Sequence, residues 1–147
     1  MSFENIIECI GRDNLETTFR YSLEESELNQ YKKWIFRIVP ENLEFQDWFE
    51  FSVLELSEID RIGKVITMNA NRRSEYLSKG IPDKMIEVSS QVLGLNIISS
   101  TNKEEYKFTE NEFRTEEASK VWDRLVKKGC ASYDLENDVY KYERDRD

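Results

Sequence analysis

The chain has 147 residues and a formal net charge of −9, from 30 acidic and 21 basic side chains. Residues 1–60 carry 14 acidic and 5 basic side chains, whereas the remaining residues carry 16 of each. This acidic balance argues against nucleic acid, which needs a basic footprint. The acidic half would suit a basic protein or a polyamine, although a solvated face that keeps the protein soluble explains the same charge.

Histidine is absent, and the two cysteines, Cys9 and Cys130, lie far apart in the chain. These facts argue against zinc sites and against Ser-His or Cys-His nucleophile pairs, so we expect no metal. The N-terminal residues show no signal-peptide pattern, and no apolar run approaches the roughly 18 residues of a membrane span. We therefore expect a cytoplasmic protein with reduced thiols and no membrane contact.

Alternation of aromatic and β-branched residues predicts strands through most of the first 60 residues. The alternating runs are 19–24, 34–39 and 48–56. The turn-forming clusters between and after them are 24–29, 40–42 and 57–60. The segment 3–10 fits either a strand or a short helix. The pattern favours an antiparallel meander that ends in a strand at 64–69.

The apolar period changes to that of a helix after this meander. A first helix over 83–93 has Pro82 at its start, Gly94 at its end and an apolar stripe of Ile81, Met85, Val88 and Val92. A second helix begins at the N-cap Thr115, ends at Gly129 and should bury Ala118, Val121, Trp122 and Leu125.

A short strand at 95–99 lies between the two predicted helices, and 131–133 and 139–142 form a terminal hairpin. The prediction is an α+β fold in a single domain, 1–147. Its central sheet is mixed and mostly antiparallel, with helices packed on its faces.

The loop 76–82 carries the clearest chemical signal, because it joins the strand 64–69 to the first helix. A strand that enters a tight loop and then a helix directs backbone N–H groups at one point, which suits a phosphate group. Positive charge for such a group is available from Arg72, Arg73, Lys79 and Lys84. An ordinary strand-to-helix turn is the alternative explanation for Gly80.

This order of strand, glycine loop, helix, strand, Ser-Ser, helix and hairpin resembles the GNAT superfamily of acyl-CoA-dependent N-acyltransferases, most clearly over 64–142. Aligned on Gly80, the residues 77–82 resemble the family's Arg/Gln-x-x-Gly-x-Gly/Ala loop. Leu77 and Pro82 depart from that pattern, and Trp122 stands where many members have a tyrosine.

The resemblance implies that acetyl-CoA or another acyl-CoA binds between the strands 64–69 and 95–99. It implies direct acyl transfer to an amine, with the oxyanion held by backbone amide near Met68 and Asn69. The charge of the acidic half would suit a polyamine, an aminated small molecule or a basic peptide as the acceptor. The cofactor-binding residues that it implies are Met68, Asn69, Arg73, Leu77, Ser78, Lys79, Gly80, Ile81, Pro82, Ser99 and Ser100. Turn capping is the alternative role for Ser99 and Ser100.

A transferase needs a base for the acceptor amine, and without histidine this must be a carboxylate, a tyrosine or a chain of waters. Glu50 and Glu55 are the carboxylates on the strand 48–56, and alternation puts only Glu55 on the aromatic face. Glu55 and Tyr133 are the catalytic candidates, with Tyr76 and Tyr140 as further tyrosines. The alternative function is a catalytically inactive binding module on the same scaffold, whose acidic face binds a partner.

Overall fold

The computed structural model describes residues 3–41, 47–68, 75–109 and 111–143. The strands in these ranges are β1 (Asn5–Ile10), β2 (Glu16–Leu28), β3 (Tyr31–Pro40), β4 (Phe49–Ser57), β5 (Ile62–Met68), β6 (Asn96–Ile98), β7 (Ala131–Asp134) and β8 (Val139–Tyr142). The helices are α1 (Ile81–Leu93) and α2 (Glu116–Lys127), and a short 3₁₀ helix, Glu104–Tyr106, precedes α2. The predicted α+β class is confirmed. No helix in the described ranges is both long and apolar enough to cross a membrane.

The eight strands form one sheet in the order β1-β2-β3-β4-β5-β6-β8-β7. All neighbours pair antiparallel except β5 and β6, which are parallel. A parallel pair needs a crossover connection, and α1 lies in the segment that provides it. The predicted mixed, mostly antiparallel sheet is therefore confirmed.

The predicted turn at 24–29 is wrong, because β2 continues to Leu28 and pairs with β3 along that whole length. The turn consists of Asn29 and Gln30 alone, which have φ angles of 51° and 71°. Positive φ at both central residues matches a two-residue hairpin turn, whose twist suits the flanking strands. Opposite charges face each other where Glu27 pairs with Lys32, and this favours strand over turn.

One face of the sheet, here called the helix face, packs against α1 and α2. Its core side chains include Phe36 and Phe51 from the sheet and Trp122 from α2, all at most 1% exposed. The other face, here called the opposite face, presents the alternate residues of the same strands, such as Arg37 and Ser52.

The ends of both helices follow the sequence rules. Thr115 accepts a hydrogen bond from the N–H of Ala118, and Gly94 ends α1 in the left-handed region with a φ of 66°. Val92 was predicted to lie on the buried stripe of α1, but it is 49% exposed. The buried residues of α1 include Ile86, which the predicted stripe left out.

A buried ion pair attaches the loop between β6 and α2 to the opposite face. Lys64 Nζ lies 2.9 Å from a carboxylate oxygen of Glu112, and both side chains are at most 4% exposed. The same carboxylate accepts hydrogen bonds from the N–H groups of Thr101 and Phe108. Glu112 therefore satisfies one ammonium and two backbone donors at once.

We expect Lys64→Met to lower the free energy of unfolding by about 3–5 kcal/mol, because it leaves a buried carboxylate without its counter-charge. Urea denaturation monitored by tryptophan fluorescence measures the change. The exposed Lys141→Met is the matched control and should change stability by less than about 0.5 kcal/mol. A loss from Lys64→Met no greater than the control's would contradict the assigned role of this pair.

Candidate functional site

The parallel strands β5 and β6 pair over only three residues, Ile62 with Asn96, Gly63 with Ile97 and Lys64 with Ile98. Beyond this point β5 continues to Met68, whereas the chain leaving β6 turns to β8 and the N–H of Ser99 donates to Tyr140. The carboxyl ends of the two strands therefore separate. We call the space between them the strand gap.

Both serines that follow β6 bond to the protein itself. The Ser99 hydroxyl donates to the carbonyl of Ser100 and accepts from the N–H of Tyr140. The Ser100 hydroxyl donates to the carbonyl of Val65, over 2.7 Å, and so bridges the strand gap near its narrow end. These contacts agree with a capping role and place Ser100 at the wall of the gap.

A small cavity of about 90 Å³ lies at the strand gap. Met68 and Ser100, two of the predicted cofactor residues, both line it. Trp122 also lines it, is 1% exposed and stacks on Tyr140 with 5.9 Å between ring centroids. The remaining lining residues are Val65, Ile66, Phe113, Arg114, Thr115 and Ala118. The wall combines apolar side chains with the polar residues Ser100, Arg114 and Thr115, so it suits a small group that has both apolar and polar atoms.

A larger cavity of about 500 Å³ surrounds the start of α1. Its lining includes the predicted loop residues Leu77, Ser78, Lys79, Gly80 and Pro82. Ile81 does not line it, because its side chain is fully buried in the core. Asn69 and Arg73, with Arg72, lie outside the residues that the structure describes.

The first turn of α1 has no side-chain cap, and Gly80 stands at its N-cap with a φ of 78°. The first N–H groups of a helix lack partners within the helix and carry partial positive charge. The only residue with a carboxylate in this turn is Asp83. This geometry is the helix start that the loop 76–82 predicts.

The larger cavity has more cationic than anionic side chains, although the whole chain has a net charge of −9. The five cationic residues are Arg12, Lys79, Lys120, Arg124 and Lys128, and the two anionic residues are Asp83 and Glu117. Within the described residues, Arg124 pairs with Asp83, while the other four cations have no ion-pair partner. The cavity can therefore attract an anion.

Arg124 joins the two helices. Its Nε and Nη2 donate to the two carboxylate oxygens of Asp83 over 3.0 and 2.9 Å. The hydrogen bond to Asp83 raises the pKa of Arg124 above its usual value. Because Asp83 belongs to the first turn of α1, this pair fixes α2 beside the helix start and partly neutralises the carboxylate nearest to it.

The cations on α2 are functional candidates that the sequence analysis missed. Lys120, Arg124 and Lys128 recur every four residues, so they form one stripe along the helix. The spacing was readable from the sequence. What it cannot show is that this stripe faces the loop 76–82, because that depends on how α2 packs against α1.

The turn between β1 and β2 forms another wall of the larger cavity. The N–H of Arg12 donates to the carbonyl of Ser78 over 3.1 Å. A Cβ added to Gly80 would lie 2.1 Å from the carbonyl oxygen of Ile10. Glycine at position 80 is therefore required by the close backbone approach as well as by its positive φ.

The two catalytic candidates from the sequence lie away from both cavities. Glu55 is half-buried and accepts a hydrogen bond from the indole N–H of Trp34 over 3.3 Å. Tyr133 lies on the edge strand β7 and donates to Asp138 over 2.6 Å, which raises the pKa of Tyr133. Neither residue lines either cavity, so the structure does not bring them together with the loop 76–82.

Tyr76 and Tyr140, the further tyrosine candidates, have different surroundings. Tyr76 lines the larger cavity, and its hydroxyl donates to the carbonyl of Asp47. Burial, together with a hydrogen bond to Asp123, raises the pKa of Tyr140 to about 12.

Burial also raises the pKa of Cys9 to about 12, so this thiol stays protonated at neutral pH.

We expect Gly80→Ala to destabilise the protein by about 1–3 kcal/mol more than Gly129→Ala, because only the change at Gly80 adds overpacking to the cost of left-handed backbone that both share. Both glycines have a φ of 78°, but a Cβ at Gly129 meets nothing within 4 Å. Left-handed backbone alone costs a non-glycine residue about 1–2 kcal/mol, and overpacking adds about 1–3 kcal/mol. Chemical denaturation of both variants measures the difference. Equal losses would contradict the contact between Gly80 and Ile10.

No family model, curated protein or solved structure matches this chain. Within the described ranges, no group of three His, Cys, Asp or Glu side chains is placed to hold a metal ion. The resemblance to the GNAT superfamily stays a prediction from the sequence. Function is therefore inferred from the strand gap, from the two cavities and from the charges that line the larger one.

Proposed function

We propose that this protein binds an acyl-CoA, acetyl-CoA being the first candidate, and transfers its acyl group to an amine in the manner of the GNAT superfamily. The observation that carries the proposal is the cation-rich cavity of about 500 Å³ at the uncapped start of α1. The cavity is lined by five cationic and two anionic side chains, although the chain as a whole has a net charge of −9. This local excess of positive charge favours an anionic ligand.

The connectivity around the cavity supports the same proposal. The chain passes from β5 through the loop and α1 to the parallel strand β6, and then through α2 to the hairpin of β7 and β8. This is the order on which the resemblance to the family rests. In sheets with parallel strands, ligands bind beyond the carboxyl ends of the strands, where β5 and β6 separate here.

The two cavities suit different parts of an acyl-CoA. Phosphate groups match the N–H groups of α1 and the unpaired cations Lys79, Lys120 and Lys128 of the larger cavity. The smaller cavity of about 90 Å³ has the volume of about three waters, at about 30 Å³ each. That volume suits a short acyl group and its thioester, so acetyl is favoured over long acyl chains.

In the proposed reaction, the nitrogen lone pair of the acceptor attacks the thioester carbonyl carbon. A C–N bond forms and the C–S bond breaks. The thiolate of CoA leaves and takes up a proton, and the nitrogen loses one. Backbone N–H groups near Met68 would stabilise the oxyanion of the tetrahedral intermediate.

Glu50 is better placed than Glu55 to receive the proton from the acceptor. Phe51, the residue after Glu50, pairs with Met68 at the carboxyl end of β5. Glu50 therefore lies on the opposite face near the carboxyl end of β5, with β5 between it and the strand gap. Glu55 lies farther along β4, opposite Gly63, where β5 and β6 are still paired.

A non-catalytic binding module is the second candidate function, and two observations favour it. The Ser100 hydroxyl already bonds to the Val65 carbonyl across the strand gap. Trp122 lines the smaller cavity at the position where many GNAT members have a tyrosine, and an indole is not a general acid. Under this alternative, the larger cavity would bind an anion without transfer.

We expect acetyl-CoA to raise the melting temperature, because ligand at 100 times its dissociation constant stabilises by about 2.7 kcal/mol. Lys120→Glu and Lys128→Glu should each weaken binding about tenfold or more, because each puts a carboxylate against a phosphate. Lys141→Glu, on the exposed side of β8, is the matched control and should leave the affinity unchanged. Calorimetric titration gives the dissociation constants.

Two outcomes would count against the assigned cofactor site. The absence of any shift at millimolar acetyl-CoA would reject acyl-CoA binding. Equal affinity in the Lys120→Glu, Lys128→Glu and Lys141→Glu variants would place the ligand outside the larger cavity.

If transfer occurs, we expect Glu50→Gln to lower kcat at least about 100-fold, as removal of a general base does. Glu55→Gln should cause only a small loss, since its carboxylate bonds to Trp34 instead. Release of free thiol from acetyl-CoA with a panel of amines measures the rate, and the exposed Glu58→Gln is the control. The reverse ranking of Glu50 and Glu55 would restore the assignment made from the sequence.

A further inference from the structure

Three polar side chains form one cross-strand row on the opposite face of the sheet. Arg37 on β3 is the direct partner of Ser22 on β2 and of Glu50 on β4. Direct cross-strand partners project to the same face, and adjacent strands lie about 4.8 Å apart. The row therefore places a guanidinium between a hydroxyl and a carboxylate.

This row contains buried donors without a partner. Within the described residues, Nε and Nη1 of Arg37 and the hydroxyl of Ser22 are buried and make no hydrogen bond. Ser22 is 4% exposed. The hydroxyl of Ser52, fully buried on the same face, and Nε of Arg20 are also without a partner.

The guanidinium of Arg37 is nevertheless held in place. Its Nη2 donates to Glu24 over 3.4 Å, and its central carbon lies 5.3 Å from the centroid of the Trp48 ring. An arginine that is fixed by one weak contact and one ring, with two further nitrogens unsatisfied, is preorganised for an acceptor. A carboxylate provides two acceptor oxygens for these donors and for the Ser22 hydroxyl.

The charges around the row are balanced. Arg20 and Arg37 supply two positive charges, and Glu24 and Glu50 supply two negative ones. Glu50 forms no ion pair within the described residues, although it is the direct cross-strand partner of Arg37. A ligand with one carboxylate and one ammonium group would complement both sides of this arrangement, whereas a polyamine would leave Nε and Nη1 of Arg37 without an acceptor.

We propose that the row of Ser22, Arg37 and Glu50 binds an amino acid, with its carboxylate on Arg37 and Ser22 and its ammonium towards Glu50. The proposal rests on the acyl transfer proposed above and names the acceptor class for it. It replaces the polyamine or basic peptide that the acidic half of the sequence suggests. The ammonium of the amino acid would then lie near the carboxyl end of β5, the strand that forms one side of the strand gap.

Amino acids and their carboxamides test this proposal, because the amide keeps the ammonium group and removes the carboxylate charge. Calorimetric titrations without acyl-CoA compare each acid of a panel of L-amino acids with its amide. We expect at least one acid to bind at least about tenfold more tightly than its amide, since charge-assisted bonds to a guanidinium carry the difference. No preference for any acid would overturn the proposal.

Substitutions on β3 test which side chain causes the tighter binding of the amino acid than of its amide. Arg37→Gln should abolish the preference for the acid, and Arg37→Lys should retain only part of it, because lysine lacks the planar fork. Lys33→Gln is the matched control, since it removes one charge from the same strand and face, four residues from Arg37. A preference that survives Arg37→Gln unchanged, or that Lys33→Gln also abolishes, would overturn the assignment.

Further measurements separate this proposal from the acyl-CoA site. Arg37→Gln should bind acetyl-CoA with the affinity of the unmodified protein, because Arg37 does not line the larger cavity. If amino acids bind in an Arg37-dependent way but acetyl-CoA does not bind, the row is supported as an amino-acid site and acyl transfer is rejected. If Arg37→Gln does not fold, Arg37→Lys and Ser22→Ala provide the test instead. If both variants keep the full preference for the amino acid over its amide, the proposal is overturned.

Discussion

The close approach between Gly80 and the carbonyl of Ile10 is the contact on which the candidate site depends. It fixes the start of α1 against the end of β1, so that the first strand of the meander and the first helix after it share one wall. From this point, the pair of Arg124 with Asp83 positions α2 beside α1. Three segments far apart in sequence thus surround one cavity, and none of them forms it alone.

Most of the fold was predictable because it follows from local rules. Alternation located the strands, and Thr115 and Gly94 marked helix ends that the structure confirms. The error at 24–29 has a local cause too: polar and acidic residues resemble a turn when their partner strand is unknown. Their strand conformation depends on pairing with β3, and the register is fixed by Asn29 and Gln30, whose positive φ angles no composition rule indicates.

The candidate site was predictable only where one segment carries it. The loop 76–82 was found from its position before a helix, and all of its residues except Ile81 line the larger cavity. Grouping the cations of α2 and Arg12 with Gly80 requires knowledge of how the helices pack, which no pattern in the sequence supplies. The row of Ser22, Arg37 and Glu50 requires the registers of β2, β3 and β4 together, and a shift of one residue would move each side chain to the other face.

The two proposed ligands lie on different faces of one sheet, which limits where they can meet. A continuous ladder of paired strands separates the two faces, because side chains alternate across it and backbone groups bond within it. The ladder is interrupted where β5 and β6 part after Lys64 and Ile98. An acyl group that enters from the helix face can reach the opposite face at this interruption. Glu50 lies near the carboxyl end of β5, across that strand from the gap, because its neighbour Phe51 pairs with Met68. Under the proposed function, the short pairing of β5 with β6 would allow a site on each face to serve one reaction.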